Sequence, residues 1–262
     1  MGTDTTLPAG PQRAAVDRVS RKKVPPYGFG DGSIAVSAFD QYPEQFRLGF
    51  FCAMSKPKLV LIGAGGHARS CIDVIEQQGQ FQIAGLVGLP EQQHIKQLGY
   101  AVIASDNALD ELAKSYQYAL ITIGHIQTAE LRLRLYQKAV QCGFQLPVII
   151  SPTAHVSRHA AIGNGSIVMH GAIVNAGTQV GSNCIINSRA LIEHDAIVED
   201  HCHIATGAIL NGDVRVGSGS FVGSGCVVKE GVAIGKSCLV GMGLIVRHKL
   251  ADYVHFTGYD KT

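Results

Sequence analysis

The chain has 262 residues, with 22 Lys and Arg against 20 Asp and Glu, a formal charge of +2 and only 16% charged residues. Such a balance leaves no basic footprint for nucleic acid or an anionic membrane, and no apolar run reaches the length of a membrane span. Glycine is abundant at 31 residues, tryptophan is absent, and the 7 cysteines form no C-x-x-C pair, which favours a reduced, cytoplasmic setting over a disulfide framework.

Residues 1–55 sustain no period apart from the short apolar patch "FRLGFFCAM". They read as a flexible extension or as a non-native leader with Met54 as the natural start, and they hold no signal-peptide core. The pattern changes at Lys56. "KLVLIGAGGHARSCIDVIEQQG" predicts a buried strand over 58–62, a glycine turn over 63–66 and a helix from about His67 to Gln78. "FQIAGLVG" and "YAVIA" predict two more strands, "NALDELAKS" a capped helix, "YALITIG" a strand, "TAELRLRLYQKAVQCG" a helix and "QLPVII" a last strand. Strands alternating with helices over 56–149 imply a small, Rossmann-like parallel α/β sheet.

The period then becomes six. From Ile150 through Val156, Ile162 and Val168 to Val240, every sixth residue is Val, Ile or Leu. A hexapeptide repeat is the signature of a parallel β-helix, three hexads to a triangular coil. The first-position aliphatic fills the prism. The small fifth residue permits the corner, and second-position glycines such as Gly163, Gly181, Gly217 and Gly223 serve where the backbone turns without a side chain. Cys184, Cys202 and Cys238 sit at fifth positions in one column, with Ser220 filling the gap, and read as packing residues. This second domain spans 150–246, and 247–262 form a tail.

One stretch of the repeat, "NSRALIEHDAIVEDHCHIATG" (187–207), is crowded with histidines and carboxylates. Glu199, Asp200 and His201 read as a solvated face. His194 is third in its hexad, on the outward part of the strand, beside Asp195 and one coil below Gly212. A carboxylate can fix an imidazole tautomer so that the free nitrogen takes a proton. A glycine N–H can steady an oxyanion. Those are two parts of an acyl-transfer site.

These motifs resemble the bacterial sugar acetyltransferases of the sialic acid O-acetyltransferase and UDP-4-amino-sugar N-acetyltransferase (NeuD/PglD) type. The resemblance covers about Pro57 to Val246 and rests on "LIGAGGHA", "ITIGHIQTAELRLRLYQKA", "SPTAHVS" and "NSRALIEHDAIVEDHCHIATGAILNGDVRVG". It implies a left-handed β-helix, a homotrimer, acetyl-CoA as co-substrate in the groove between neighbouring β-helices, no metal, and a nucleotide sugar held by the N-terminal domain. It further implies His194 as catalytic base, Asp195 as its orienting acid and Asn187 as a substrate contact. His203 would lie near the thioester, Gly212 at the acetyl carbonyl, and Gly241 and Gly243 along the CoA arm. Gly63, Gly65, Gly66 and His67 would line the nucleotide-sugar pocket, where free N–H groups at a helix N-terminus suit a diphosphate. The chain departs from the family where an acidic pair follows the second strand (here Val87-Gly88-Leu89-Pro90) and at the C-terminal "FTGYDKT".

The expected activity is acetyl transfer to the amine of a nucleotide-activated amino sugar, with O-acetylation of sialic acid or a related sugar as the alternative. Three other readings compete. "GAGGHA" fits a dinucleotide fingerprint, but the acid that such a site needs after the second strand is missing. A β-helix zinc enzyme needs three converging histidines, and the pairs His155/His159 and His201/His203 face apart. A non-catalytic trimeric scaffold explains the repeat but not the grouping of His194, Asp195 and Gly212.

Overall fold

The computed structural model describes Gly2 and residues 56–258. The extension expected over 1–55, its apolar patch and the final four residues lie outside that range.

Strand β1 (Lys58–Ile62) is buried from Leu59 onward and lies between β2 (Gln82–Gly88) and β5 (Tyr118–Ile121), parallel to both. Helix α1 (Gly66–Gln78) follows the glycine turn and ends at Gly79 in the left-handed region, φ 68°. Beyond β2 come β4 (Tyr100–Ser105), α2 (Leu109–Ser115) and, after β5, α3 (Glu130–Gln141). At one edge of the sheet β3 (Lys96–Gln97) pairs antiparallel with β4. The remaining pairs are parallel, in the order β3-β4-β2-β1-β5. "QLPVII" does not form the expected strand. Pro147 has no N–H to give a ladder; Gln145 makes one isolated bridge to Tyr118, and Ile149–Ile150 opens the next domain.

From Ile149 the chain winds as a three-sided prism of two-residue strands. One face stacks Ile149–Ile150, Ile167–Val168, Ile185–Ile186, His203–Ile204, Phe221–Val222, Leu239–Val240 and His255–Phe256. A second face runs from His155–Val156 through Leu191–Ile192 and Ile209–Leu210 to Ile245–Val246, and a third from Ala161–Ile162 through Ile197–Val198 to Ala233–Ile234. Each strand pairs parallel and in register with the one 18 residues on, as Leu191 does with Ile209. The last coil is shorter: Val240 pairs with Phe256 and Ile234 bridges Leu250, a step of 16 in each case.

First-position aliphatics and fifth-position small residues together form the buried interior. Three buried aliphatics contribute roughly 1.5–3 kcal/mol each, whereas ordering a coil costs about 1–2 kcal/mol per residue. A lone coil is therefore unstable, and the prism stands only because each coil hydrogen-bonds the next. The fifth position does more than leave room. Ser166, Ser220, Cys202 and Cys226 donate to the carbonyls of Gly181, Gly235, Gly217 and Gly241, at 2.7, 2.8, 3.2 and 2.7 Å.

The turning glycines are not those the repeat suggests. Left-handed φ falls at the fourth position, in Gly165, Gly207, Gly219 and Gly243 and equally in Asn183, Arg189, Asp195 and His201. Second-position glycines are needed for close approach instead: a Cβ on Gly217 would lie 2.6 Å from the Gly235 carbonyl carbon in the next coil. Accordingly, Gly217→Ala should lower stability by roughly 1–3 kcal/mol through overpacking against backbone. Gly207→Asn, at φ 65° with open space around it, should stay within about 0.5 kcal/mol, because asparagine tolerates the left-handed region. Denaturant midpoints of the two variants test the contrast.

Candidate active site

His194 and Asp195 lie in the corner that joins the second face to the third, in a turn rather than on a strand. Asp195 takes the left-handed fourth position, φ 60°. This conformation turns its carboxylate back toward the preceding residue, and Oδ2 meets His194 Nδ1 at 3.0 Å. Two glycines in the neighbouring coils make the space. A Cβ on Gly177, below, would run into the Asp195 carboxylate; one on Gly212, above, would sit 2.7 Å from His194 Cε1 and 2.8 Å from Nε2. The imidazole therefore fills the space that a side chain on Gly212 would take. No described residue accepts a hydrogen bond from the Gly212 N–H.

The carboxylate fixes the tautomer: Nδ1–H donates to Asp195, which leaves Nε2 as the acceptor. The Asp195 hydrogen bond holds the His194 pKa above its ordinary value of 6.5, aided by the charges of Asp195, Glu193 and Asp213. The side chain is 66% exposed. It borders an open cleft of about 550 Å³ lined by Glu193, His194, Asn211, Gly212, Asp213, Glu230 and Gly231.

A second group converges where the α/β domain meets the first face. Helix α1 packs Ala68, Cys71, Ile72 and Ile75 over the outward side chains of Ile149, Ile167 and Ile185. His203 continues that outward column and is buried. Its Nδ1 lies 2.8 Å from the His125 carbonyl and so carries the proton. Its Nε2 faces Asn187 Nδ2 at 3.2 Å. The Asn187 Oδ1 accepts from the Ser188 N–H at 2.8 Å, which leaves Nδ2 as the end that faces His203. Both His203 nitrogens are thus occupied within the chain, and the Asn187 amide keeps one N–H to spare. His67 is half-buried against Gly124, with its ring 6.3 Å from that of His203. Burial pushes the pKa of His67 down to about 3 and that of His203 to about 4.

The glycine turn has a different reason for each residue. Gly63, φ 125°, has no room for a Cβ because Ile123 Cγ1 would be 2.5 Å away, whereas Gly65 and Gly66 face open space. Helix α1 begins there without a side-chain cap, so its first N–H groups are available to an anion. Gly241 and Gly243 lie in the corner between first and second faces, in the same column as Asn187 three coils away. Side chains are sparse along that column: Ala205-Thr206-Gly207, Gly223-Ser224-Gly225 and Gly241-Met242-Gly243. Within the β-helix the expected site residues therefore occupy two corners, one on each side of the second face, except His203, which lies in a strand of the first face; Gly63, Gly65, Gly66 and His67 belong to the α/β domain. Glu199 accepts from the Ser218 N–H and hydroxyl, Asp200 from the Ser182 N–H and His201 from Asn183. These hold the third corner together. Among the described residues no three His, Cys, Asp or Glu side chains converge as a metal site, and no helix is long and apolar enough to cross a membrane.

Residues 58–139 match the family described as the PglD N-terminal domain, and residues 213–247 match the hexapeptide repeat of succinyl-transferase. No curated protein sequence matches the chain. Among solved structures, a variant of perosamine N-acetyltransferase from Caulobacter crescentus, in complex with CoA and GDP-perosamine, is 34% identical; the match covers 74% of this chain and 90% of that one, with a TM-score of 0.70. The chain belongs to the NeuD/PglD family. It is an acyltransferase. The acetyltransferase domain of PglB from Neisseria gonorrhoeae, in complex with acetyl coenzyme A, is 30% identical over 76% of this chain and 95% of that one, at a TM-score of 0.70. WeeI from Acinetobacter baumannii, 18% identical over 72% and 94% with a TM-score of 0.56, shares the fold. As in the NeuD/PglD family, the β-helix is left-handed.

Sequence reasoning on this NeuD/PglD member missed Gly177, His125 and Arg132. Gly177 could have been found by stepping one coil back from Asp195. Arg132 is fully buried in the stripe Arg132, Leu135, Ala139 of α3, a helical spacing that puts a cation where an apolar residue is expected. In Asp195→Asn the hydrogen bond and charge that raise the His194 pKa are weakened. The titration of the His194 ring should then move to lower pH. Histidine ring NMR of the two proteins over a pH series checks the shift.

Proposed function

We propose that this chain transfers the acetyl group of acetyl-CoA directly to the amino group of a nucleotide-activated amino sugar, with His194 as general base. The observation that carries this reading is the His194 imidazole, tied at Nδ1 to Asp195, with Nε2 beside the Gly212 backbone at the lip of a cleft. The relatives solved with CoA and GDP-perosamine, or with acetyl coenzyme A, support the two substrates.

The amine attacks the thioester carbonyl and its proton passes to Nε2. The oxyanion that forms faces the Gly212 N–H. When the C–S bond breaks, the thiolate takes the proton from the imidazolium, giving CoA thiol and the N-acetyl sugar. No serine, threonine or cysteine among the described residues hydrogen-bonds to His194, in keeping with a transfer that needs no acyl-enzyme. The sparse corner above Asn187 offers a track for the pantetheine arm, and the open space at Gly65 and Gly66 offers room for the sugar diphosphate. His203, with both nitrogens engaged, serves by orienting the Asn187 amide toward the acceptor.

The two corners come together in a homotrimer. The outward residues of the second face are His155 and then Ile173, Leu191, Ile209, Val227 and Ile245, of which Ile173 is 38% and Ile245 50% exposed; the third face interrupts Ala161, Ile197 and Ala233 with Gln179 and Arg215. Burying the apolar face head-to-tail around a threefold axis sets the His194 corner of one copy against the Asn187 corner of the next. Ile209→Asp should give monomers by light scattering and abolish transfer. An active monomer would refute the shared site.

Acetyl-CoA offered with UDP-, GDP- and dTDP-linked 4-amino sugars, and with sialic acid, should release thiol in step with N-acetylation of one amino sugar. Release with sialic acid alone would point to a hydroxyl acceptor. His194→Ala should reduce turnover by about a hundredfold or more; unchanged turnover would remove the mechanism.

A further inference from the structure

We propose that Arg132 is a positioning residue for the acceptor site: its guanidinium holds the loop after β5 against the β-helix and so places the His125 carbonyl that orients His203 and, through it, the Asn187 amide. The assignment rests on the reading of Asn187 as an acceptor contact.

Arg132 sits in the first turn of α3 with no exposed surface. Its Nη1 donates to the carbonyls of Ile121 and Ile123 at 2.8 and 2.7 Å, and its Nε donates to the Asn183 carbonyl of the β-helix at 3.1 Å. The planar fork thus ties three carbonyls from two domains in a fixed relation, which a single ammonium point charge does not reproduce. The loop it holds is short and anchored at both ends. Thr122 donates through N–H to Ile62 and through its hydroxyl to Gly63, at 2.9 and 2.7 Å. Two residues after Ile123, the His125 carbonyl receives the His203 Nδ1–H. That bond leaves the lone pair on Nε2, the only tautomer that can accept from Asn187 Nδ2. Removing the fork frees the His125 carbonyl and then the His203 tautomer, and leaves the Asn187 amide held by the Ser188 N–H alone.

A charge without a counter-charge is a costly way to hold a loop. Arg132 has no ion-pair partner among the described residues, and its Nη2 finds no acceptor there. The titratable groups that feel it are His67 and Cys71 from α1, His125 from the loop, and Cys184, His201 and His203 from the β-helix. Burial is the larger cause of the low pKa of His67, His125 and His203, and the guanidinium adds to it. Its cation therefore helps to keep the acceptor side of the site in neutral imidazole form while the His194 side is easily protonated.

The test uses the full-length protein, Arg132→Lys and Arg132→Gln, with histidine ring NMR and steady-state kinetics on acetyl-CoA and the amino-sugar nucleotide selected by the acceptor panel. In the wild type, His203 should carry its proton on Nδ1, and the rings of His67, His125 and His203 should stay neutral down to about pH 5. Both variants should raise the KM for the sugar nucleotide about tenfold, with kcat and the KM for acetyl-CoA changed by less than about threefold. Only Arg132→Gln, which removes the charge, should move the ring titrations upward. A wild-type His203 protonated on Nε2, or folded variants with an unaltered sugar KM, would overturn the assignment. If neither variant folds, the wild-type tautomer still decides. Should the wild type transfer acetyl to no amino sugar, the functional reading fails, and the ring titrations judge Arg132 separately.

Discussion

Parallel, in-register winding sets the terms for every side chain in the β-helix. Because each strand pairs with the one 18 residues on, a residue in a corner has one fixed neighbour above it and one below. Side-chain bulk is therefore rationed by column. A large group survives only where the coils on either side give way, and at the His194 corner they do: Gly177 yields to the Asp195 carboxylate and Gly212 to the imidazole. The same rule explains the carboxylates one corner on, where Glu199 and Asp200 reach backbone N–H groups of adjacent coils instead of solvent alone.

Two histidine populations follow from two environments. His194 is exposed, partnered by a carboxylate and shifted upward. His125 and His203 are buried and His67 half-buried; none has a carboxylate partner among the described residues, all lie near a guanidinium, and all are shifted downward. The upward shift favours proton uptake by the first kind, and the downward shift keeps the second kind neutral. The proposed transfer to an amine uses that division, since it takes a proton acceptor on one side and fixed hydrogen-bond directions on the other.

Much of this was legible in the residues alone. The hexad period specifies the winding, and a step of one coil pairs His194 with Gly212. What the period hid was the phase of the turn. Positive φ at the fourth position is shared by glycine, asparagine, aspartate and histidine, so glycine content marks close backbone approach better than it marks bending. Pro147 decided the fate of "QLPVII" against its apolar character. The junction was illegible for another reason: Asn183 is 51 residues from Arg132 and sits in an ordinary hexad, and the two meet only because α1 docks on an outward aliphatic column and brings α3 with it.

The shortened last coil also bears on solubility. A solenoid ends in unpaired strand edges that can receive another copy and grow into a fibre. Here the terminal turn is two residues short of the repeat, so its edge is out of step with the regular coil that a second molecule would present. Lys249, Asp252 and His255 crowd the same rim. Misregister and charge together make this last described coil a poor template for a stacked copy.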